Sequence, residues 1–145
     1  MRKKISKFLA LLVALVSFLL LLKPYFHDGI PVTHDGNNHL VRFANYKVAV
    51  KERQIPPRFA PNLFNHYGYP VFNYNYPLAN ILSLPFSVLE IHYESTFKIL
   101  VGLFFLSGAT GLWFWLDRLK LKQQSLKFLA IASFFVSPYA LNLVY

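Results

Sequence analysis

The segment FKILVGLFFLSGATGLWFWL, Phe97 to Leu116, carries no charge after Lys98. About 20 apolar residues at 1.5 Å each match the hydrocarbon thickness of a bilayer. Inside lipid a backbone must satisfy its own polar groups, and a single segment does so as a helix. Gly102, Gly108 and Gly111 would weaken a helix in water but suit a membrane helix, where small residues let backbones approach. Trp113 and Trp115 near its end fit an interfacial aromatic belt. Two further runs share this character. FLALLVALVSFLLLL, Phe8 to Leu22, extends to a span over 5–22 when counted from Ile5. FLAIASFFVSPYALNLVY starts at Phe128 and is still apolar at Tyr145, so a third span is expected over 128–145. That ending reads as the amino-terminal piece of a longer polytopic protein. MRKK and Lys7 before the first run also match the start of a signal peptide. The run exits into KPYFHD with no small-residue cleavage site, so it reads as an uncleaved anchor.

Charge supports the same class. Only 14% of the residues are charged and the net charge is +9, well below the charged share of an ordinary soluble domain. The lysines and arginines sit beside apolar runs instead of forming a polyanion footprint, which argues against nucleic acid. There is no cysteine, hence no disulfide framework and no thiolate metal site. Arg2, Lys3, Lys4 and Lys7 precede the first span; Arg118, Lys120, Lys122 and Lys127 fill 117–127 between the second and third. The positive-inside rule places both on the cytoplasmic side and puts 23–96 outside. The expected fold is an all-α membrane protein with three transmembrane helices and a long extracytoplasmic loop containing short helices.

That loop is too rich in aromatic residues for disorder. Lys23 to Thr33 reads as an extended connector. A helix is predicted over 36–53, with Asp35 or Thr33 as its cap. QIPPRFAPN reads as irregular because of its prolines. A second helix, near 78–92, is too short to span and suits the membrane interface. On the first of these helices Asp35, Asn38, His39 and Arg42 recur at i, i+3, i+4 and i+7 and share a face. A carboxylate, amide, imidazole and guanidinium together suit a phosphate-and-hydroxyl site, with Asp35 as proton acceptor or metal contact and Arg42 forked onto phosphate. The plain alternative is a wetted polar face with Asp35 as a cap, and spacing by itself favours it. His34 and His39 lie five apart, off the spacing of a zinc helix motif. No phosphate-cradling glycine loop or Ser–His–Asp signature is present.

The run from Thr33 to Leu82, with its acid and following histidine, then IPPR, PN, GYP and FNYNYPL, resembles the first external loop of a bacterial membrane protein group. The group is labelled "6-pyruvoyl-tetrahydropterin synthase-related" and resembles GT-C glycosyltransferases; SPYALNLVY resembles the end of its third span. The soluble pterin enzyme's zinc histidine pattern is absent, so that activity is set aside. The resemblance implies a bacterial inner-membrane protein with a cytoplasmic N-terminus, moving a sugar from a polyprenyl phosphate to an extracytoplasmic acceptor. It implies Asp35 as catalytic base, with Asp28 second, and Arg42, Arg58 or His39 steadying phosphate charge. Asn62, Tyr67, Tyr69, Asn73 and Tyr76 would offer stacking and hydrogen-bonding surface to sugar rings. No particular cofactor is assigned, and a divalent metal is left open. A non-enzymatic membrane protein or subunit, whose aromatic loop binds lipid or a partner, is the alternative reading.

Overall fold

A computed structural model describes residues 2–31, 33 and 35–144; Met1, Val32, His34 and Tyr145 lie outside the described residues, and with His34 the histidine pair considered above. Among the described residues six α-helices follow one another: α1 (Arg2–Leu21), α2 (Gly36–Lys51), α3 (Leu78–Val88), α4 (Tyr93–Arg118), α5 (Gln124–Phe135) and α6 (Pro138–Val144). Among the described residues the only extended pairing is an isolated bridge between Ala60 and Tyr69. The chain forms two compact units, one from 1–34 with 101–145 and the other from 35–100.

In the first unit α1 packs along α5. Ala10, Ala14, Ser17 and Leu21 are its buried residues, at i, i+4, i+7 and i+11, while Phe8, Leu12, Leu15 and Leu19 are exposed. A water-soluble helix buries its large apolar side chains and shows its polar ones. Here mostly small residues face the neighbour and large apolar ones face out, the arrangement that suits lipid. Phe18 meets Phe135 with ring centroids 5.0 Å apart, joining the carboxyl-terminal ends of the two helices, which therefore run parallel. The α4 segment from Val101 runs antiparallel to α5, since Phe105 meets Phe134 and Trp113 meets Phe128. Gly108 makes the close approach possible: a Cβ there would lie 2.9 Å from Phe134 Cζ. Gly111 meets nothing within 4 Å, so it has no such role. Where α4 turns into α5, the buried Lys127 ammonium pairs with Asp117 and lies 4.9 Å from the Trp113 ring centre.

Among the described residues two helices, Lys4–Leu21 and Tyr93–Arg118, are long and apolar enough to cross a membrane, with only 22% and 17% of their most apolar stretches buried. The expected third span over 128–145 is not one helix. Pro138 has no amide hydrogen and disfavours helix at Ser137. The chain therefore breaks after α5, and the Ser137 hydroxyl accepts from the Ala140 amide to start α6. The 117–127 connection is also shorter than expected, because α4 continues to Arg118 and α5 begins at Gln124.

In the second unit Tyr46 and Ala49 of α2 pack with Ala60 and Phe72, joined by Val50, Leu63, Val71 and Leu84. Phe72 meets Tyr46 edge to face at 5.0 Å. Buried Asn45 ties this region down: its Oδ1 accepts from the Asn62 amide at 3.0 Å and its Nδ2 donates to the Val41 carbonyl at 3.0 Å. Helix α3 packs on α2, and the Lys47 ammonium donates to the Ser87 carbonyl at 3.3 Å. The buried residues of α3 are Asn80, Ser83 and Ser87. Asn80 Oδ1 and Ser87 Oγ find no hydrogen-bond partner among the described residues; a buried orphan of this kind costs about 1–3 kcal/mol.

Helices α2 and α3 stop at Lys51 and Val88, short of the 53 and 92 expected. Each ends in a Schellman turn built on a non-glycine residue. Arg53 (φ 66°) and Glu90 (φ 57°) take the left-handed position. Gln54 then donates to the Ala49 carbonyl and Ile91 to that of Phe86. The connector over 23–33 is not extended throughout, because Pro24 opens a short 3-10 helix, Lys23–Phe26.

Candidate functional site

The acid face forms as its spacing requires, since α2 begins at Gly36 and carries Asn38, His39 and Arg42 on consecutive turns. Asp35 stands at the cap position, with φ −125°, yet its side chain makes no cap hydrogen bond. Its carboxylate instead accepts from the Asn38 side-chain amide at 2.8 Å. This departs from the capping role expected of it: the exposed carboxylate is held along the helix surface by a residue one turn on.

His39 is half-buried, with its ring 5.7 Å from Phe97 and 6.2 Å from Phe43. Burial disfavours the imidazolium, and the Arg42 guanidinium adds to this while Asp35 partly opposes it, so the pKa lies below the ordinary 6.5. Near neutral pH His39 is thus a neutral hydrogen-bonding ring, and Arg42, half-buried beside it, is the cation of this face. Phe43 and Phe97 set that environment. Their part was not visible in the sequence, because Phe97 comes from α4, far along the chain.

Among the described residues no three His, Cys, Asp or Glu side chains group to hold a metal ion. Asp35 with Asn38 offers one carboxylate and one amide, which do not make a divalent-metal site of their own. Asp28 is exposed on the bend after the 3-10 helix and belongs to the first unit.

The aromatic residues form a separate cluster. The Ala60–Tyr69 bridge, with bonds of 2.8 and 3.0 Å, closes a loop in which Phe64, Asn65 and His66 all adopt positive φ. Gly68, at φ 78°, ends the turn; a Cβ there would lie 2.0 Å from Phe59 Cε1. Three successive left-handed L-residues are costly, and such strain persists only where surrounding structure imposes it. The loop exposes Tyr67 at 87% and sets Phe64 against Tyr69 as a tilted ring pair with centroids 5.0 Å apart. Arg58, Asn62, Asn73 and Tyr76 are exposed as well.

The two groups are not brought together. The loop is anchored on Asn45, Tyr46 and Ala49, which at 1.5 Å per residue lie roughly 15–20 Å along α2 from Asp35. No family model, curated protein or solved structure matches the chain.

Proposed function

We propose that the chain contributes the acid-bearing portion of a membrane glycosyltransferase of the GT-C kind, which moves a sugar from a polyprenyl phosphate to an acceptor on the outer face of a bacterial inner membrane. The observation that carries this reading is Asp35: an exposed carboxylate at the head of a helix, turned away from capping and oriented by Asn38. In the reaction the acceptor hydroxyl oxygen bonds to the anomeric carbon as the bond from that carbon to the phosphate oxygen breaks. Asp35 takes the hydroxyl proton, the phosphate leaves with the bonding pair, and Arg42 meets its charge. Arg58, Asn62, Tyr67 and Tyr69, a helix-length away, suit the far end of an extended donor or acceptor.

The outward-facing leucines of α1 support membrane residence. The parallel α1–α5 pairing supports the orientation, since it gathers Lys4, Lys7 and the Arg118, Lys120, Lys122 turn at one end of the first unit, as cytoplasmic positive charge requires. The distance between acid face and aromatic loop favours a second reading, a membrane protein that binds a long lipid or partner without chemistry.

The deciding experiment profiles lipid-linked and transferred glycans in a deletion strain carrying wild-type protein or Asp35→Asn. The variant should insert normally and lose transfer about 10²–10⁴-fold, the usual contribution of a general base. Normal transfer by Asp35→Asn overturns the catalytic assignment, and a glycan profile unchanged by the deletion itself selects the binding reading.

A further inference from the structure

Helix α3 has its two faces the wrong way round for water. Asn80 and Ser83 are 2% and 1% exposed, and Ser87 is buried beside them. Val88 and Leu89, by contrast, are 80% and 71% exposed, and Leu78, Ile81 and Leu82 lie on the same open side. No charged residue occurs between Pro77 and Leu89. Rolling the helix by half a turn would hydrate Asn80 Oδ1 and Ser87 Oγ, which lack partners among the described residues, and would bury Leu78, Ile81, Leu82 and Val88 while exposing only Leu84, the one leucine packed on the core. In water both changes are favourable. The observed orientation is the stable one only if the outer face meets something more apolar than the interior of the unit.

We infer that this outer face of α3 lies against the acyl chains of a bilayer, as a non-spanning contact distinct from the two long apolar helices. The inference rests on the membrane reading above. Acyl chains are the occupant for two reasons on the chain itself. Helix α4, long and apolar enough to cross a membrane, begins only at Tyr93, just past the turn that ends α3. Tyr74 and Tyr76 before the helix are strongly exposed, and Tyr93 follows it, so aromatic rings bracket the apolar face as they do at a lipid–water boundary. Tyr76 is thereby assigned to the membrane interface, not to sugar stacking.

The absence of cysteine makes the test direct. Single variants L82C and V88C of the full chain, labelled with an environment-sensitive fluorophore, are placed in phosphatidylcholine–phosphatidylglycerol vesicles with and without brominated acyl chains. L103C on α4 serves as the lipid-facing reference, and the exposed N37C and E52C as aqueous ones. Labels at 82 and 88 should be quenched by brominated lipid to the level seen at 103 and be protected from aqueous iodide. If 103 is quenched while 82 and 88 follow 37 and 52, the inference fails and the membrane reading stands. If 103 is not quenched either, both fail. Protection from iodide at 82 and 88 without quenching by lipid means that protein covers the face, which also overturns the inference. Unchanged helical circular dichroism identifies the variants that have kept their fold, and the comparison is made on those.

Discussion

Replacing Asn45 by Leu should loosen the aromatic loop without unfolding the unit that carries it. The two Asn45 bonds differ in kind. The Nδ2 bond to the Val41 carbonyl stays within one helix, where that carbonyl also serves the helical ladder. The Oδ1 bond from the Asn62 amide joins positions 17 residues apart and holds the start of the loop to α2. Leucine keeps most of the volume and removes both bonds. The bond is part-buried at the edge of the unit, so opening of the loop entrance lets water take up the released Asn62 amide and limits any orphan penalty. The expected loss is therefore that of a single net hydrogen bond, about 1–1.5 kcal/mol. That corresponds to a roughly tenfold increase in local opening. Amide hydrogen exchange in detergent micelles reads it directly: Asn62 should exchange roughly tenfold faster, while Ala60 and Tyr69, held by their own bridge, change less. Unchanged exchange at Asn62 would refute the anchoring role. An equal rise at all three amides would show that Asn45 supports the whole unit instead of the loop entrance.

Two further outcomes follow from charge placement. Because burial lowers the His39 pKa, the unfolded chain binds the proton first as pH falls through 6.5; the second unit should lose stability from there down to the lowered folded-state pKa, and His39→Phe should flatten that slope in thermal unfolding. At the α4–α5 turn the pair is unequal, with the Lys127 side chain 6% exposed and Asp117 48% exposed. Asp117→Asn strands a buried ammonium on Trp113 and should cost about 2–3 kcal/mol, below the figure for a fully buried pair because Asp117 is half in solvent; Lys127→Met should cost under about 1 kcal/mol. Thermal unfolding in micelles checks the order, and a larger loss for Lys127→Met would contradict it.

Element type was legible in the sequence wherever a physical constraint acts locally. Uninterrupted apolar length made α1 and α4 readable, and prolines marked the irregular stretch before Ala60. The boundaries were less legible, because helix stops are read from glycine and proline, and α2, α3 and α4 stop on Arg53, Glu90 and Lys120. Those residues end helices by taking a left-handed backbone that only the completed turn reveals. The break at Pro138 was visible as a residue, but an apolar run of span length outweighed it. At the candidate site, helical spacing placed Asp35, Asn38, His39 and Arg42 on one face. It could not show that Asn38 turns the carboxylate aside or that Phe97, from another helix, shelters the imidazole.

Helical periodicity says which residues share a face, but not which face turns inward; that depends on what lies outside. For α2 the two questions have the usual answer, with Tyr46 and Ala49 inside and Asp35 in the open. For α1 mostly small residues lead inward and most leucines outward, and for α3 asparagine and serines go in while Leu78, Ile81, Leu82 and Val88 stay out and Leu84 alone reaches the core. Both inversions are unfavourable against water and favourable against hydrocarbon. Each follows from the same transfer free energy that buries Phe43 on α2, with the sign set by the solvent. A chain showing both orders in its helices is best explained by contact with two solvents. On the proposals above, the acid face of α2 meets water and the outer face of α3 meets lipid, within one packed unit. That juxtaposition suits a reaction between a lipid-borne phosphate and a water-borne hydroxyl, and it is why the depth of α3 and the role of Asp35 should be measured on the same protein.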